Sequence, residues 1–172
     1  MDKRRFIITG YPRSRTAWMA AFLSSGDTIC FHEPEVLEGG WFERVFVKGE
    51  GVRQGNVGIS DSTVPARLST FQLVCPAARV VVICRPFDDS LTSFCRFLKM
   101  DRAQALPIFR KIQTGLEELP RYFPAILSVD FSKLSDPSTL RSIWEFCCHT
   151  ESFDEARAAI FNSIVCNQKL PT

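Results

Sequence analysis

The sequence predicts an α/β fold of three layers, with a central parallel sheet flanked by helices. Three observations predict it. Apolar runs of strand length alternate with longer stretches of helical periodicity. One run, Val80-Val81-Val82-Ile83, is β-branched throughout, as expected of a strand buried on both faces. Each run also stops at polar residues, at the end of the strand where parallel sheets collect their ligands.

Phe6 to Thr9 reads as the first strand, bounded by a Gly-Tyr-Pro turn, and Ser14 to Ser24 then carries Trp18, Met19, Phe22 and Leu23 at helical spacing. The second and third strands, Thr28 to His32 and Val57 to Ser60, end at Glu33-Pro34 and Asp61-Ser62. The fourth, Arg79 to Cys84, ends at Arg85-Pro86. Asp88 is expected to cap a helix reaching about Leu98, and a longer helix covers Arg102 to Leu119, with Pro107 at an early turn or a break. Ala125 to Val129 supplies a fifth strand. Pro137 to Cys148 aligns Leu140, Ile143, Trp144 and Cys147 on one helical face, and Phe153 to Ile164 forms a last helix. The segment Glu38 to Asn56 is punctuated by Gly39-Gly40 and Gly49-Glu50-Gly51; it reads either as a substrate-covering loop or as an irregular connection.

A chain of 172 residues fits one domain, assigned here to residues 1–172. Its 45% hydrophobic content, with 15 Phe, excludes a disordered protein. A net charge of +2 is too small for a nucleic-acid or membrane surface, so neither partner is expected. After Asp2-Lys3-Arg4-Arg5 the apolar run Phe6-Ile7-Ile8 is too short for a signal-peptide core or a membrane span, and a cytoplasmic location is expected. The seven cysteines, an odd set, lack metal-site spacing and lie mostly in apolar runs, so they read as buried thiols. The adjacent Cys147 and Cys148 offer a redox-active pair as an alternative, but neighbouring residues on a helix usually face different surroundings; His149 has no motif around it and reads as a surface residue.

The chemistry concentrates in Gly10-Tyr11-Pro12-Arg13-Ser14-Arg15-Thr16-Ala17-Trp18. Between a strand and a helix, several amide hydrogens and the positive end of the helix dipole converge, which suits a phosphate or sulfonate. Arg13 adds a forked cation, and Ser14 and Thr16 add hydroxyl donors. The nucleotide-hydrolase pattern Gly-x-x-x-x-Gly-Lys-Ser/Thr is absent, because its last three positions hold Arg15, Thr16 and Ala17. An ordinary helix start after a tight turn is the competing reading.

This turn resembles the phosphosulfate loop of the sulfotransferases, which reads approximately Tyr-Pro-Lys/Arg-Ser-Gly-Thr-Thr-Trp. Tyr11-Pro12-Arg13-Ser14, Thr16 and Trp18 match it, while Arg15 stands in place of glycine and Ala17 in place of threonine. A second match is Arg85, at the end of the Val-rich strand, with Ser93 eight residues on. The segment Ile126 to Phe146 follows the same family in hydrophobic pattern, and the C-terminal Arg-Lys-Gly motif of many members is missing.

The resemblance implies a three-layer P-loop NTPase-like fold and a metal-independent sulfotransferase. The donor would be 3′-phosphoadenosine-5′-phosphosulfate (PAPS), and the acceptor a small molecule or carbohydrate. It implies that Tyr11 through Trp18 surround the phosphosulfate, with Arg13 touching the bridging oxygen and Trp18 stacking on adenine. Arg85 and Ser93 would hold the 3′-phosphate. A catalytic base is sought at two strand ends, His32-Glu33 and Asp61, with Glu33 preferred. Two other readings stay open: a phosphotransferase binding magnesium through Asp61 and Glu33, and a non-catalytic nucleotide-binding module.

Overall fold

The computed structural model describes residues 4–34, 42–53, 55–148 and 152–167. His149 lies outside the described residues, as does the side chain of Cys166. Five strands form one parallel sheet: β1 (Arg5–Gly10), β2 (Thr28–His32), β3 (Asn56–Ser60), β4 (Arg79–Cys84) and β5 (Ala125–Asp130), in the order β2-β3-β1-β4-β5. Ile7 of the central strand sits opposite Ile59 of β3 and Val80 of β4.

Strand alternation then sorts side chains between two cores. Phe6, Ile8, Val81 and Ile83 point to one face, where they meet Met19, Phe22, Leu140, Ile143 and Trp144. The helices of that layer are α1 (Thr16–Leu23), α5 (Pro137–Cys147) and α6 (Glu155–Asn167). Ile7, Val57, Ile59 and Val80 point to the other face and pack with Leu68, Phe71, Leu119 and Phe123. That layer holds α2 (Leu68–Val74) and α4 (Arg102–Tyr122), and α3 (Phe87–Leu98) packs beside α4. The three-layer parallel α/β architecture is therefore the one the sequence predicts.

Several details differ from the sequence reading. A 3-10 turn at Val64–Arg67 leads into α2, an element not anticipated. Within the 38–56 segment, Phe42–Val47 forms a π-helical turn that buries Phe46 completely in the second core, so this portion packs rather than covers. Asp88 lies in the first turn of α3 and pairs with Arg102 instead of capping the helix. Helix α4 runs through both Pro107 and Pro120 to Tyr122. Both prolines are exposed. Cys30, Cys75, Cys147 and Cys148 are buried as expected, but Cys84 is exposed and Cys95 half-buried.

Helix α5 is closed at both ends. Asp136 accepts hydrogen bonds from the Ser138 and Thr139 amides, both at 3.3 Å, and Pro137 occupies the first turn. At the other end Arg4 donates to the Glu145 and Phe146 carbonyls at 3.1 and 3.2 Å, and Arg79 to Phe146 at 3.0 Å. The Ser138 and Thr139 bonds hold the Asp136 carboxyl below its ordinary value. A depressed folded-state pKa contributes stability that is present above the unfolded value and lost as pH falls through the folded one. Asp136→Asn keeps a capping oxygen but removes the charge. Thermal melts of wild type and variant are therefore expected to differ at neutral pH and to converge on acidification below pH ~4.

Candidate anion-binding site

The chain leaves β1 toward β2 across one face of the sheet and leaves β4 toward β5 across the other. The crevice between the carboxyl ends of β1 and β4 is thus the switch point at which α/β folds bind ligands. Gly10 and Ile83 are register partners there, and a Cβ on Gly10 would lie 2.5 Å from the Ile83 carbonyl oxygen. Only glycine lets the two strands close at this point.

Beyond Gly10 the turn is pinned from several sides. The Tyr11 ring stacks on Phe109 (centroids 5.7 Å apart) and meets the edge of Phe87 at 5.5 Å. Burial and the Glu117 carboxylate push its phenol pKa up. Pro12 is buried, and the Ser14 amide donates to the Tyr11 carbonyl at 3.2 Å. Arg13 and Arg15 take left-handed conformations, φ 70° and 61°. Left-handed residues in such turns curl amide hydrogens into anion-binding concavities. Arg15 stands where the sulfotransferase loop has glycine, and its positive φ is the backbone state glycine adopts without strain. Thr16 opens α1, whose first turn carries no acidic residue, and Ser60 fixes that turn by donating to the Thr16 carbonyl at 2.8 Å.

The Ser14 hydroxyl is fully buried and has no hydrogen-bond partner among the described residues. An orphaned polar atom in a built turn is costly unless a ligand satisfies it. Arg85 bonds the Arg13 carbonyl through Nη1 at 2.5 Å. The Arg85 and Arg15 guanidiniums both lie over the Phe131 ring, at 4.6 and 4.9 Å, while Arg13 lies over Phe97 at 4.2 Å. Burial lowers the Arg85 pKa; Asp89 opposes that, and the charges of Arg13 and Arg15 add to it. Three like charges have been gathered at the carboxyl end of the central strands, an arrangement a polyanion would relieve.

The other sequence candidates divide. Ser93 sits half-buried on α3, two turns beyond Arg85, and Ala17 is exposed on the first turn of α1. Trp18 is engaged with α6: it stacks on Phe22 at 5.5 Å, meets the edge of Phe161 at 5.8 Å and donates Nε1–H to the Phe161 carbonyl at 3.2 Å. Helix α6 is held further by Arg157, which donates to the carbonyls of Phe22 (2.8 Å), Ala21 (2.6 Å) and Ser24 (2.9 Å) at the end of α1.

Two carboxylates approach the site unequally. Asp61 is 3% exposed and accepts from the Thr63 amide at 2.6 Å, the geometry of a turn cap. Its carbonyl accepts from Thr9 at 2.8 Å. The Glu33 side chain is 48% exposed, on a left-handed backbone at φ 40°, and Oε1 accepts from Ser62 at 3.3 Å. His32 bridges toward the anion turn: Nε2 is 3.8 Å from Glu33 Oε1 and 3.4 Å from the Thr16 hydroxyl. Among the described residues no group of three His, Cys, Asp or Glu is arranged for a metal ion. Nor is any described helix long and apolar enough to cross a membrane. The sequence reading missed Phe97 and Phe131 as platforms for the arginines. Phe97 lies one helical turn beyond Ser93, a spacing that points to it.

The fold is that of the sulfotransferases. It superposes on sulfotransferase STF9 from Mycobacterium avium with a TM-score of 0.66 at 10% identity, over 99% of this chain and 70% of that one. Mouse sulfotransferase SULT7A1, solved in complex with PAP, matches with a TM-score of 0.62 at 12% identity, over 95% of this chain and 64% of the mouse protein. No family model and no curated protein matches the sequence.

Proposed function

We propose that this chain is a sulfotransferase that binds PAPS at the Gly10 to Trp18 turn and moves the sulfuryl group to a hydroxyl or amine of a small-molecule or carbohydrate acceptor. The observation that carries the reading is the gathering of Arg13, Arg15 and Arg85 around one strand-to-helix turn containing the orphaned Ser14 hydroxyl. A hydrolase loop would need a lysine followed by a magnesium-binding hydroxyl, and this turn has neither. Arg13 and Arg85 leave different strands, β1 and β4, which supports two anionic groups on one ligand, a 5′-phosphosulfate and a 3′-phosphate.

Arg13, Arg15, Ser14 and Thr16 serve the phosphosulfate; Arg85 and Ser93 serve the 3′-phosphate. Tyr11, Pro12 and Ala17 shape the turn, and Trp18 borders it. Transfer forms a bond from the acceptor oxygen or nitrogen to sulfur and breaks the bond from sulfur to the bridging oxygen, whose electron pair stays on the departing phosphate beside Arg13. Glu33 takes the acceptor proton. Its exposure favours it over Asp61, whose carboxylate is occupied by the Thr63 amide. His32 lies between Glu33 and Thr16 and orients the base.

Transfer of labelled sulfate from PAPS across a panel of phenols, alcohols, amines and sugars tests the activity. Glu33→Gln is expected to lower kcat about 100-fold while retaining nucleotide affinity. Unchanged kcat in that variant would move the proton acceptor elsewhere. Nucleotide binding without transfer to any class would leave a binding module instead of an enzyme.

A further inference from the structure

A cavity of about 310 Å3 opens on the opposite face of the sheet, between β4, β5 and α4. Its volume falls at the small end of ligand pockets, enough for a molecule of roughly ten non-hydrogen atoms. Val82, Ile126, Leu116 and Pro120 make its walls apolar.

The polar groups on its lining are of both kinds: the Tyr11 and Ser128 hydroxyls, the Cys84 thiol and the Gln113 amide can donate, and one carboxylate accepts. Glu117 carries a carboxylate and is exposed at the rim. The Gln113 amide, a donor, is turned to Glu117 Oε1 at 3.2 Å. Pro120 has no amide hydrogen, so the Leu116 carbonyl receives no helical bond from position 120, and both residues line the cavity. Among the described residues Arg85 is the one cation of the lining, and its guanidinium is directed to the Arg13 carbonyl and the Phe131 ring. Glu117 is the one anion of the lining among the described residues, and the cation of the lining is already engaged, which leaves the mouth of the chamber suited to a positive charge.

We propose that this cavity is a second, separate binding site for a small primary amine with an aromatic or aliphatic body, its ammonium held by Glu117 and the Leu116 carbonyl and its body against Val82 and Ile126. Among the described residues Tyr11 and Arg85 belong to both linings, so a bound amine lies beside the nucleotide site.

The test is a titration of the full chain with 2-phenylethylamine, and in parallel with 3-phenylpropionate, followed by amide nuclear magnetic resonance. The amine is expected to produce saturable shifts at Leu116, Ile126 and Ser128, with affinity about tenfold above that of the carboxylate. Reversing the exposed charge, Glu117→Lys, is expected to weaken the amine about tenfold, since two modest surface charge terms change together. Filling the chamber with Leu116→Trp is expected to abolish binding while the spectrum stays dispersed. Absence of saturable shifts, equal affinity for the two probes, or undiminished binding to Glu117→Lys would overturn the proposal, and Glu117→Lys suffices if Leu116→Trp does not fold.

Discussion

Replacing Arg13 and Arg85 together by alanine is expected to lower the affinity for 3′-phosphoadenosine 5′-phosphate by about 100- to 10,000-fold, because each guanidinium removed deletes charge-assisted bonds worth roughly 1.5–3 kcal/mol. Calorimetry at fixed ionic strength measures it. The loss should not come from unfolding. Arg13 is exposed, and the Arg85 pKa is lowered first by burial and further by the charges of Arg13 and Arg15, so removing the pair relieves both desolvation and repulsion. The double lysine variant separates charge from geometry: it keeps both cations but loses the planar forks, and an intermediate affinity is expected. Equal binding by wild type and the double alanine variant would remove the basis of the proposed function.

Gly115→Ala is expected to destabilise the fold by about 3 kcal/mol or more, read by chemical denaturation. Alanine is the better helix former by about 1 kcal/mol, so propensity alone predicts the opposite sign. Packing decides. A Cβ on Gly115 would lie 1.9 Å from the Pro65 carbonyl oxygen and 2.5 Å from its carbon, in the 3-10 turn that precedes α2. Both are backbone atoms that no rotamer change can clear, so α4 must lift from that turn. Thr114→Ala, one residue away on the exposed side, is the control and should be nearly neutral. A stabilised Gly115→Ala would show that α4 and the turn are not in contact as described.

The sheet was legible because strands buried on both faces are written as short continuous apolar runs, and 79–84 could hardly be anything else. Helix α5 was legible from the stripe Leu140, Ile143, Trp144 and Cys147, all buried. Helix α2 was not. It has seven residues, follows Pro65, and its Leu73 is 84% exposed, so no apolar period develops. Asp88 misled because it carries a capping side chain, yet the helix had already begun at Phe87.

In the site, the arginine at each strand exit was readable because strand ends are readable. Their common platform was not, since Phe131 follows β5, and only the sheet order sets β5 beside β4. Trp18 shows the same limit: its neighbours on α6 are 143 residues away in sequence. The contrast between Asp61 and Glu33 had a local signal. An aspartate two residues before a threonine amide favours a closed turn that consumes its carboxylate, and Asp61 with Thr63 fits that pattern.

Arg157 grips the Ala21 and Phe22 carbonyls in the last turn of a helix only eight residues long, and the Ser24 carbonyl just past it; the opposite tip of that helix is the anion-binding turn. So short a rod transmits what happens at either tip, because no length remains in which to absorb a displacement. The far helix thereby acts as a tensioner for the ligand turn, and substitutions that slacken it would be felt as a loss of grip about 12 Å away, the span of an eight-residue helix.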